Sequence, residues 1–325
     1  MSLSSTLPAL ASQTSLAGRP VRKLADQAFR GFLLLLSASL LAIVALVLFE
    51  LVHGSQLSIH QFGFKFFFNS NWDPVNGDFG AWPFVYGTIV SSGLALLIAV
   101  PLSVGMATFS TEMCPPFLRV PINFTVELLA AIPSVIYGLW GIFVLAPLLR
   151  QYAEPWLAKY FGWTCLFEGP PFGIGMLAAG IIIAIMIVPI ISSITREVMT
   201  AVPNQQREAA QALGATRWEV IRLGVLRNAR AGIAGAVILG LGRAVGETMA
   251  VTMVIGNRPE IAKSLFAPGY TLASVIANEF SEATGDLYLS SLIEIGLALF
   301  IVTIIINALA QLLVWSITRG APKRT

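Results

Sequence analysis

The segment NQQREAAQALGATRWEVIRLGVLRN (residues 204–228) lies between two apolar runs, each long enough to cross a lipid bilayer. Pro203, just before it, stops the preceding helix. The stretch Gln205–Leu213 predicts a short helix with a face of small alanine side chains. Gly214 is placed to end that helix, because glycine tolerates a left-handed backbone.

A second short helix is predicted directly after the glycine. Thr216 and Glu219 form a T-x-x-E capping box, which is a sequence signature of a helix N-terminus. Trp218, Ile221 and Val225 then recur at helical spacing and would share one face. The segment therefore predicts a helix, a glycine turn and a second helix lying on the membrane surface.

Apolar runs of spanning length occur on both sides of this segment. Of all residues 56% are hydrophobic and 11% are charged, whereas soluble domains carry about 25% charged residues. Each run must be helical in lipid, where only a helix satisfies its own backbone polar groups. The sequence predicts an all-α, polytopic protein with six transmembrane helices, at Gly31–Val52, Pro83–Phe109, Pro121–Leu149, Phe172–Ile194, Ala229–Ile255 and Ser291–Ile317.

The distribution of Lys and Arg predicts the orientation. With the N-terminus inside, fourteen of the 20 basic residues fall on the cytoplasmic side and five outside. We therefore expect a multi-pass inner-membrane protein with both termini cytoplasmic. The predicted parts are a flexible tail (1–28), a transmembrane domain (29–318) containing the loop 203–228, and a C-terminal tail (319–325). The outside loop 53–82 is predicted to form a small amphipathic cap.

One span carries two opposite charges. The fifth run reads GRAVGETMAVTMVIGN from Gly242, and an arginine at the bilayer centre costs about 2.5–3.5 kcal/mol on insertion scales. Glu247 follows Arg243 by four residues, so both would lie on one helix face, where they can pair. In one interpretation the pair only holds two helices together. In the other, Arg243 stabilises an anion in transit, Glu247 limits its affinity, and Thr248 and Thr252 supply hydroxyl donors.

Two other acidic residues receive simpler interpretations. Glu127, two turns into the third run, either contacts the solute path or extends to the membrane surface, and the second option is favoured. Glu294 lies near the outer end of the sixth run and needs no functional explanation.

Several functional classes are disfavoured by composition. The net charge of +3 is too small to indicate nucleic acid as a partner. The chain has two histidines, no nucleophile beside a base, and no P-loop lysine, so neither catalysis nor ATP hydrolysis is expected of it.

The segment between the fourth and fifth runs resembles the EAA loop of ATP-binding-cassette importer permeases. The resemblance implies the type I importer permease fold and a coupling helix that contacts a separate ATPase subunit. The matching residues are Glu208, Ala209, Ala210 and Gly214. Beyond the glycine, Leu226 is kept, but Gly224 replaces an apolar residue and Arg227 replaces a proline.

Two further stretches are similar to the PstC-type subunits of phosphate transporters. They are GRAVGETMAVTMVIGN (242–257) and ELLAAIPSVIYGLWG (127–141). The resemblance implies phosphate import with a PstA-type second permease, a PstB-type ATPase dimer that uses the ATP, and an external PstS-type binding protein. It also matches Arg243 and Glu247 to charged positions associated with transport, and this chain itself would hold no cofactor. A sulfate or molybdate permease and an ion-coupled secondary transporter remain alternatives.

Overall fold

The computed structural model describes residues 20–318, and they are almost entirely helical. The β-structure of the described residues is limited to two isolated β-bridges, Asp73–Asp78 and Gly256–Gly269. The predicted tail 319–325 and residues 1–19 of the predicted N-terminal tail lie outside the described residues. The helices are α1 (Pro20–Gly54), α2 (Gln56–Phe62), α3 (Trp82–Thr108), α4 (Pro116–Ala131), α5 (Ser134–Trp140), α6 (Ala146–Leu148), α7 (Glu154–Phe161), α8 (Met176–Thr200), α9 (Asn204–Ala212), α10 (Arg217–Glu219), α11 (Arg227–Val245), α12 (Met249–Val254), α13 (Leu272–Glu279) and α14 (Asp286–Thr318).

Six described helices are long and apolar enough to cross a membrane, as the sequence predicts. They are Asp26–Gly54, Trp82–Met113, Ser134–Phe161, Met176–Thr200, Arg217–Val245 and Asp286–Ser316. The chain divides after Glu50 into two compact units. In the first unit, the described residues form one apolar helix, and its start at Pro20 places residues 20–28 in a helix instead of the predicted tail.

Helix α8 forms the centre of the second unit. Its Ile182, Ile187 and Ile191 side chains are fully buried. Glycines bring neighbouring helices close to it: a Cβ on Gly180 would lie 2.6 Å from Leu94, and a Cβ on Gly240 would lie 2.6 Å from Ile191. Small residues allow such contact between membrane helices, where van der Waals packing drives association.

The third span differs from the prediction of one helix over Pro121–Leu149. The structure interrupts it at Ile132 and Pro133, and the spanning helix runs from Ser134 to Phe161. Proline disfavours the helical conformation in the residue before it. Ile132 is accordingly extended (φ −69°, ψ 128°), so α4 becomes a separate helix. Beyond α5, the spanning helix passes through two π-turns (141–145 and 149–153).

The fifth span also differs from the prediction of one helix over Ala229–Ile255. It begins at Arg217, because a π-turn over Val220–Leu226 joins α10 to α11 without a break. It ends at Val245, and after Gly246–Thr248 the short helix α12 begins. The predicted second surface helix is therefore the first part of the fifth span.

A folded cap covers one end of the second unit, as predicted for the loop 53–82. Phe66 and Phe79 from this loop belong to one buried hydrophobic cluster that also contains Tyr270. The Asp73 carboxylate accepts hydrogen bonds from the Asn76 side chain and backbone. These bonds lower the pKa of the Asp73 carboxyl below its usual value, so it stays ionised as the acceptor of its own turn.

Candidate functional site

The first helix of the predicted coupling segment and the turn after it have the local structure that the sequence indicates. Helix α9 ends at Ala212, and Gly214 adopts φ +78°. The Thr216 backbone N–H donates to the Glu219 carboxylate at 2.7 Å, and the Glu219 N–H donates to the Thr216 hydroxyl at 3.4 Å. The glycine turn and the capping box are therefore both confirmed.

Helix α9 exposes most of its surface. None of its residues is buried, and Glu208 and Ala209 are exposed. Ala210 is half-buried, and Leu213 at the C-terminal end is 89% exposed. A short helix with small side chains and an exposed leucine offers a surface that another protein can approach closely.

Arg207 attaches α9 to α8 and to the turn that follows α3. The sequence did not predict this attachment. Its guanidinium donates to the Glu112 carboxylate at 2.8 Å and to the Met199 and Val202 carbonyls at 3.1 and 2.7 Å. The Arg207 and Glu112 side chains are only 19% and 12% exposed. No local pattern signals this pair, because its members are 95 positions apart.

Gly224 and Arg227, the two departures from the family loop pattern, have structural explanations. A Cβ on Gly224 would lie 3.3 Å from the Gln206 carbonyl, so glycine lets the π-turn approach α9. Arg227 is exposed within a continuous helix, and its N–H bonds to Arg222 and Val225 carbonyls. The loop therefore has no proline break at its exit.

The predicted face of Trp218, Ile221 and Val225 is only partly correct. Ile221 and Val225 are buried, whereas Trp218 is 59% exposed. The π-turn starts at Val220 and changes the number of residues per turn. Trp218 therefore leaves the buried face, and it lines a cavity of about 490 Å³ together with Gln211 of α9.

The predicted ion pair of Arg243 and Glu247 is wrong. Ion pairs within 4 Å between described side chains are Arg196–Glu127 and Arg207–Glu112. Arg243 lies in the last turn of α11 and is exposed, whereas Glu247 lies beyond the helix end and is only 9% exposed. The helical spacing that would align the two charges ends at Val245.

Glu247 instead stabilises the helix break. Its carboxylate accepts a hydrogen bond from the Ala250 N–H at 3.4 Å, in the first turn of α12. The Thr248 hydroxyl donates to the Gly246 carbonyl at 3.2 Å, and the Thr252 hydroxyl donates to the Thr248 carbonyl at 2.8 Å. Both hydroxyls are therefore occupied by backbone acceptors, which disagrees with their expected role as free donors.

The breaks of the third and fifth spans lie beside each other. A Cβ on Gly138 of α5 would lie 2.5 Å from the Met253 sulfur of α12. Tyr137 donates its hydroxyl to the Leu129 carbonyl across the Pro133 break at 2.8 Å. Tyr137 is a site residue that sequence reasoning missed, although it lies in the stretch 127–141.

Two acidic residues differ from their sequence-based interpretation. Glu127 pairs with Arg196 of α8 at 2.9 Å, and it lies in α4 instead of a spanning helix. Glu294 is 1% exposed, and its Oε2 atom has no hydrogen-bond partner within residues 20–318. A buried carboxyl of this kind is costly, so the expectation that Glu294 needs no explanation is wrong.

The structure thus has six spans, an exposed short helix between two of them, and an arginine beside a helix break that has no ion-pair partner among the described residues. These features are those of a multi-pass membrane transport subunit. The family described as binding-protein-dependent transport system inner membrane component matches residues 99–319. The chain belongs to this family.

Relatives of high similarity cover most of the chain. The phosphate transport system permease protein PstC of Mesorhizobium japonicum is 51% identical over 85% of this chain and 86% of its own length. The PstC protein of Xylella fastidiosa is 46% identical over 93% of this chain and 94% of its own length. PstC 2 of Mycobacterium tuberculosis is 41% identical over 85% of this chain and 87% of its own length.

A solved structure shows the same fold at low identity. It is a chain of a bacterial ABC transporter involved in the import of the acidic polysaccharide alginate, with a TM-score of 0.59 and 17% identity. The match covers 91% of this chain and 99% of that chain. This match confirms the predicted fold, that of an ABC importer permease. The family and the relatives show that the chain is a transport permease subunit of a membrane complex.

Proposed function

We propose that this chain is the transmembrane subunit through which an ATP-binding-cassette importer moves inorganic phosphate into the cytoplasm. The observation that carries the proposal is the similarity to PstC proteins over 85% or more of the chain. The specific partners are a second, PstA-type permease, a PstB-type ATPase dimer and an external PstS-type binding protein. This chain needs no cofactor, because the ATPase subunits use the ATP. Sulfate and molybdate are the competing substrates.

The coupling role belongs to α9. Its exposed residues Glu208, Ala209 and Leu213 form the contact with the ATPase on the cytoplasmic side. Arg207 and Gly224 hold this helix against the bundle, so a force applied to α9 reaches the spans. The proposal also places both termini of the chain on the cytoplasmic side of the membrane.

The anion path passes Arg243. Its side chain is exposed in the isolated chain and has no described ion-pair partner, so its charge is available to an anion. Glu247 acts indirectly, because its carboxylate accepts the Ala250 N–H in the first turn of α12 and so stabilises the break that ends α11 next to Arg243. Thr248 contributes through the same turn, since its hydroxyl is bonded to Gly246.

Transport by the reconstituted complex tests this proposal. Proteoliposomes would contain this chain, the second permease and the ATPase, with the binding protein outside, and labelled phosphate uptake would be measured with and without ATP. Unlabelled phosphate should compete, whereas sulfate and molybdate should not. Uptake that sulfate or molybdate abolishes, or uptake driven by an ion gradient without ATP, would overturn the assignment.

The path residue is tested in the same vesicles. Arg243→Gln should reduce uptake at least tenfold, because a single charge-assisted contact is worth about 1.5–3 kcal/mol. Arg258→Gln, which removes an arginine outside the spans, should retain uptake. Normal uptake by an assembled Arg243→Gln complex would exclude the proposed path.

A further inference from the structure

A polar cavity of about 280 Å³ lies between the ends of several helices, on the side of the bundle that carries α9. Three arginines, Arg119, Arg196 and Arg207, line it. It is separate from the helix break at Gly246–Thr248, and neither the family pattern nor the proposed path uses it. We refer to it as the arginine cavity.

The three arginines differ in how many of their donors are already used. Arg207 is fully engaged, because it bonds to Glu112, Met199, Val202 and Asn204. Its role in the cavity is therefore structural, and it supplies no donor to a ligand.

Arg196 and Arg119 keep free donors. Arg196 uses Nη2 for Glu127, and Arg119 uses Nε for the Cys114 carbonyl at 3.0 Å. Their other N–H groups have no acceptor within the described part of the chain. A guanidinium presents five donors in a fixed planar fork, so each arginine retains the geometry for bidentate contact with an oxyanion.

Neutral donors add to the same cavity. The Asn123 side-chain oxygen accepts from the Ser110 hydroxyl at 2.7 Å, which leaves the Asn123 amide N–H₂ available. Asn204, the first residue of α9, also lines the cavity, and the α9 N-terminus has no side-chain cap. The helix dipole adds positive potential at this end.

The charge balance favours an anion. Glu112 and Glu127 each pair with one arginine, Arg207 and Arg196, so the charge of Arg119 has no described carboxylate partner within 4 Å. Donors come from α4, α8 and the start of α9. A tetrahedral phosphate group has oxygens in several directions, so it can accept hydrogen bonds from donors on all three helices.

We propose that the arginine cavity binds a phosphate group, either of free inorganic phosphate or of an anionic phospholipid headgroup. Because Arg119 and Asn123 belong to α4, Arg196 to α8 and Asn204 to α9, an occupied cavity ties the coupling helix to two neighbouring helices. Under the proposed function, free phosphate at this site would be bound on the cytoplasmic side, to which the importer delivers it. The binding proposal itself does not depend on the path at Arg243.

The experiment uses the complete transporter complex in lipid nanodiscs, without binding protein or nucleotide. Nanodiscs contain either phosphatidylcholine alone or phosphatidylcholine with phosphatidylglycerol. Binding of labelled inorganic phosphate is measured by equilibrium dialysis, and retained phosphatidylglycerol is measured by native mass spectrometry. The variant is Arg119→Gln, and the matched control is Arg222→Gln, an exposed arginine that does not line the cavity.

We expect Arg119→Gln to weaken phosphate-group binding about tenfold, since it removes a charge-assisted bidentate contact. Arg119→Lys should give an intermediate loss, because it keeps the charge and loses the planar fork. Reduced phosphate binding in phosphatidylcholine nanodiscs identifies free phosphate as the ligand, and reduced retention of phosphatidylglycerol identifies the lipid.

The proposal is overturned if Arg119→Gln and Arg222→Gln bind both ligands equally. Phosphate uptake by the same complexes, measured in parallel, reports on the proposed function separately. A complex that binds phosphate at Arg119 but transports a different anion would refute the proposed function and leave the arginine cavity supported.

Discussion

Replacing Arg207 with methionine removes the side chain that attaches α9 to the bundle. The substitution keeps the length of the apolar part of the side chain and deletes the donors to Glu112, Met199 and Val202. The Glu112 carboxylate, 12% exposed, then loses its ion-pair partner. We therefore expect α9 to detach from its position against the spans more often than in the unmodified protein.

The burial of Arg207 and Glu112 sets the expected size of this destabilisation of α9. Breaking a buried ion pair by removing one partner costs about 3–5 kcal/mol, and the partial exposure of Arg207 and Glu112 places the cost at about 3 kcal/mol. Since about 1.4 kcal/mol corresponds to a factor of ten, detached α9 should become roughly 100-fold more populated. Arg207→Met should also uncouple phosphate-stimulated ATP hydrolysis from transport under the proposed function.

Hydrogen–deuterium exchange of the backbone amides in α9 measures the effect in the assembled complex. Arg222→Met, a change at an exposed arginine, serves as the matched control and should leave exchange unaltered. The double variant Arg207→Met with Glu112→Leu should exchange more slowly than Arg207→Met alone, because it leaves no unpaired carboxylate. If the α9 amides of a folded Arg207→Met complex exchange at the same rate as those of the unmodified protein, the reasoning is refuted.

Three further substitutions test other contacts. Gly138→Ala places a Cβ 2.5 Å from the Met253 sulfur and should lower the stability by about 1–3 kcal/mol through overpacking. Thermal unfolding of the purified complex should therefore give a lower Tm than for the control Gly235→Ala, whose Cβ meets nothing within 4 Å. Glu294→Gln should keep or raise the Tm, because it retains the shape of a buried group whose Oε2 lacks a partner, and a clear loss would contradict that account. Gly214→Ala should cost about 1–2 kcal/mol at φ +78°, and unchanged exchange of the α9 amides would exclude strain at this turn.

Local chemistry explains which features the sequence could predict. The turn at Gly214 and the capping box of Thr216 and Glu219 depend on residues within a few positions of one another. The number of spans depends on apolar length, which is also local. The break at Pro133 was visible as a proline, although hydropathy alone joins α4 to the spanning helix.

Features that depend on distant partners were not predictable from one sequence. The pair of Arg207 and Glu112 joins residues that are 95 positions apart, and no spacing rule connects them. The break at Gly246 gives no local signal, because glycine is frequent in membrane helices and the run remains apolar beyond it. The misassigned ion pair of Arg243 and Glu247 follows directly from this missing break.

The continuity of the fifth span changes how the two candidate regions are connected. The sequence interpretation treats the coupling segment and the charged span as separate elements joined by a loop. In the structure, one helix runs from Arg217 to Val245, a length of about 43 Å at 1.5 Å per residue. The π-turn near the start of this helix packs against α9 at Gly224, and its last turn carries Arg243. A displacement of α9 therefore acts on the same helix that places Arg243 beside the break, with no flexible connection between them.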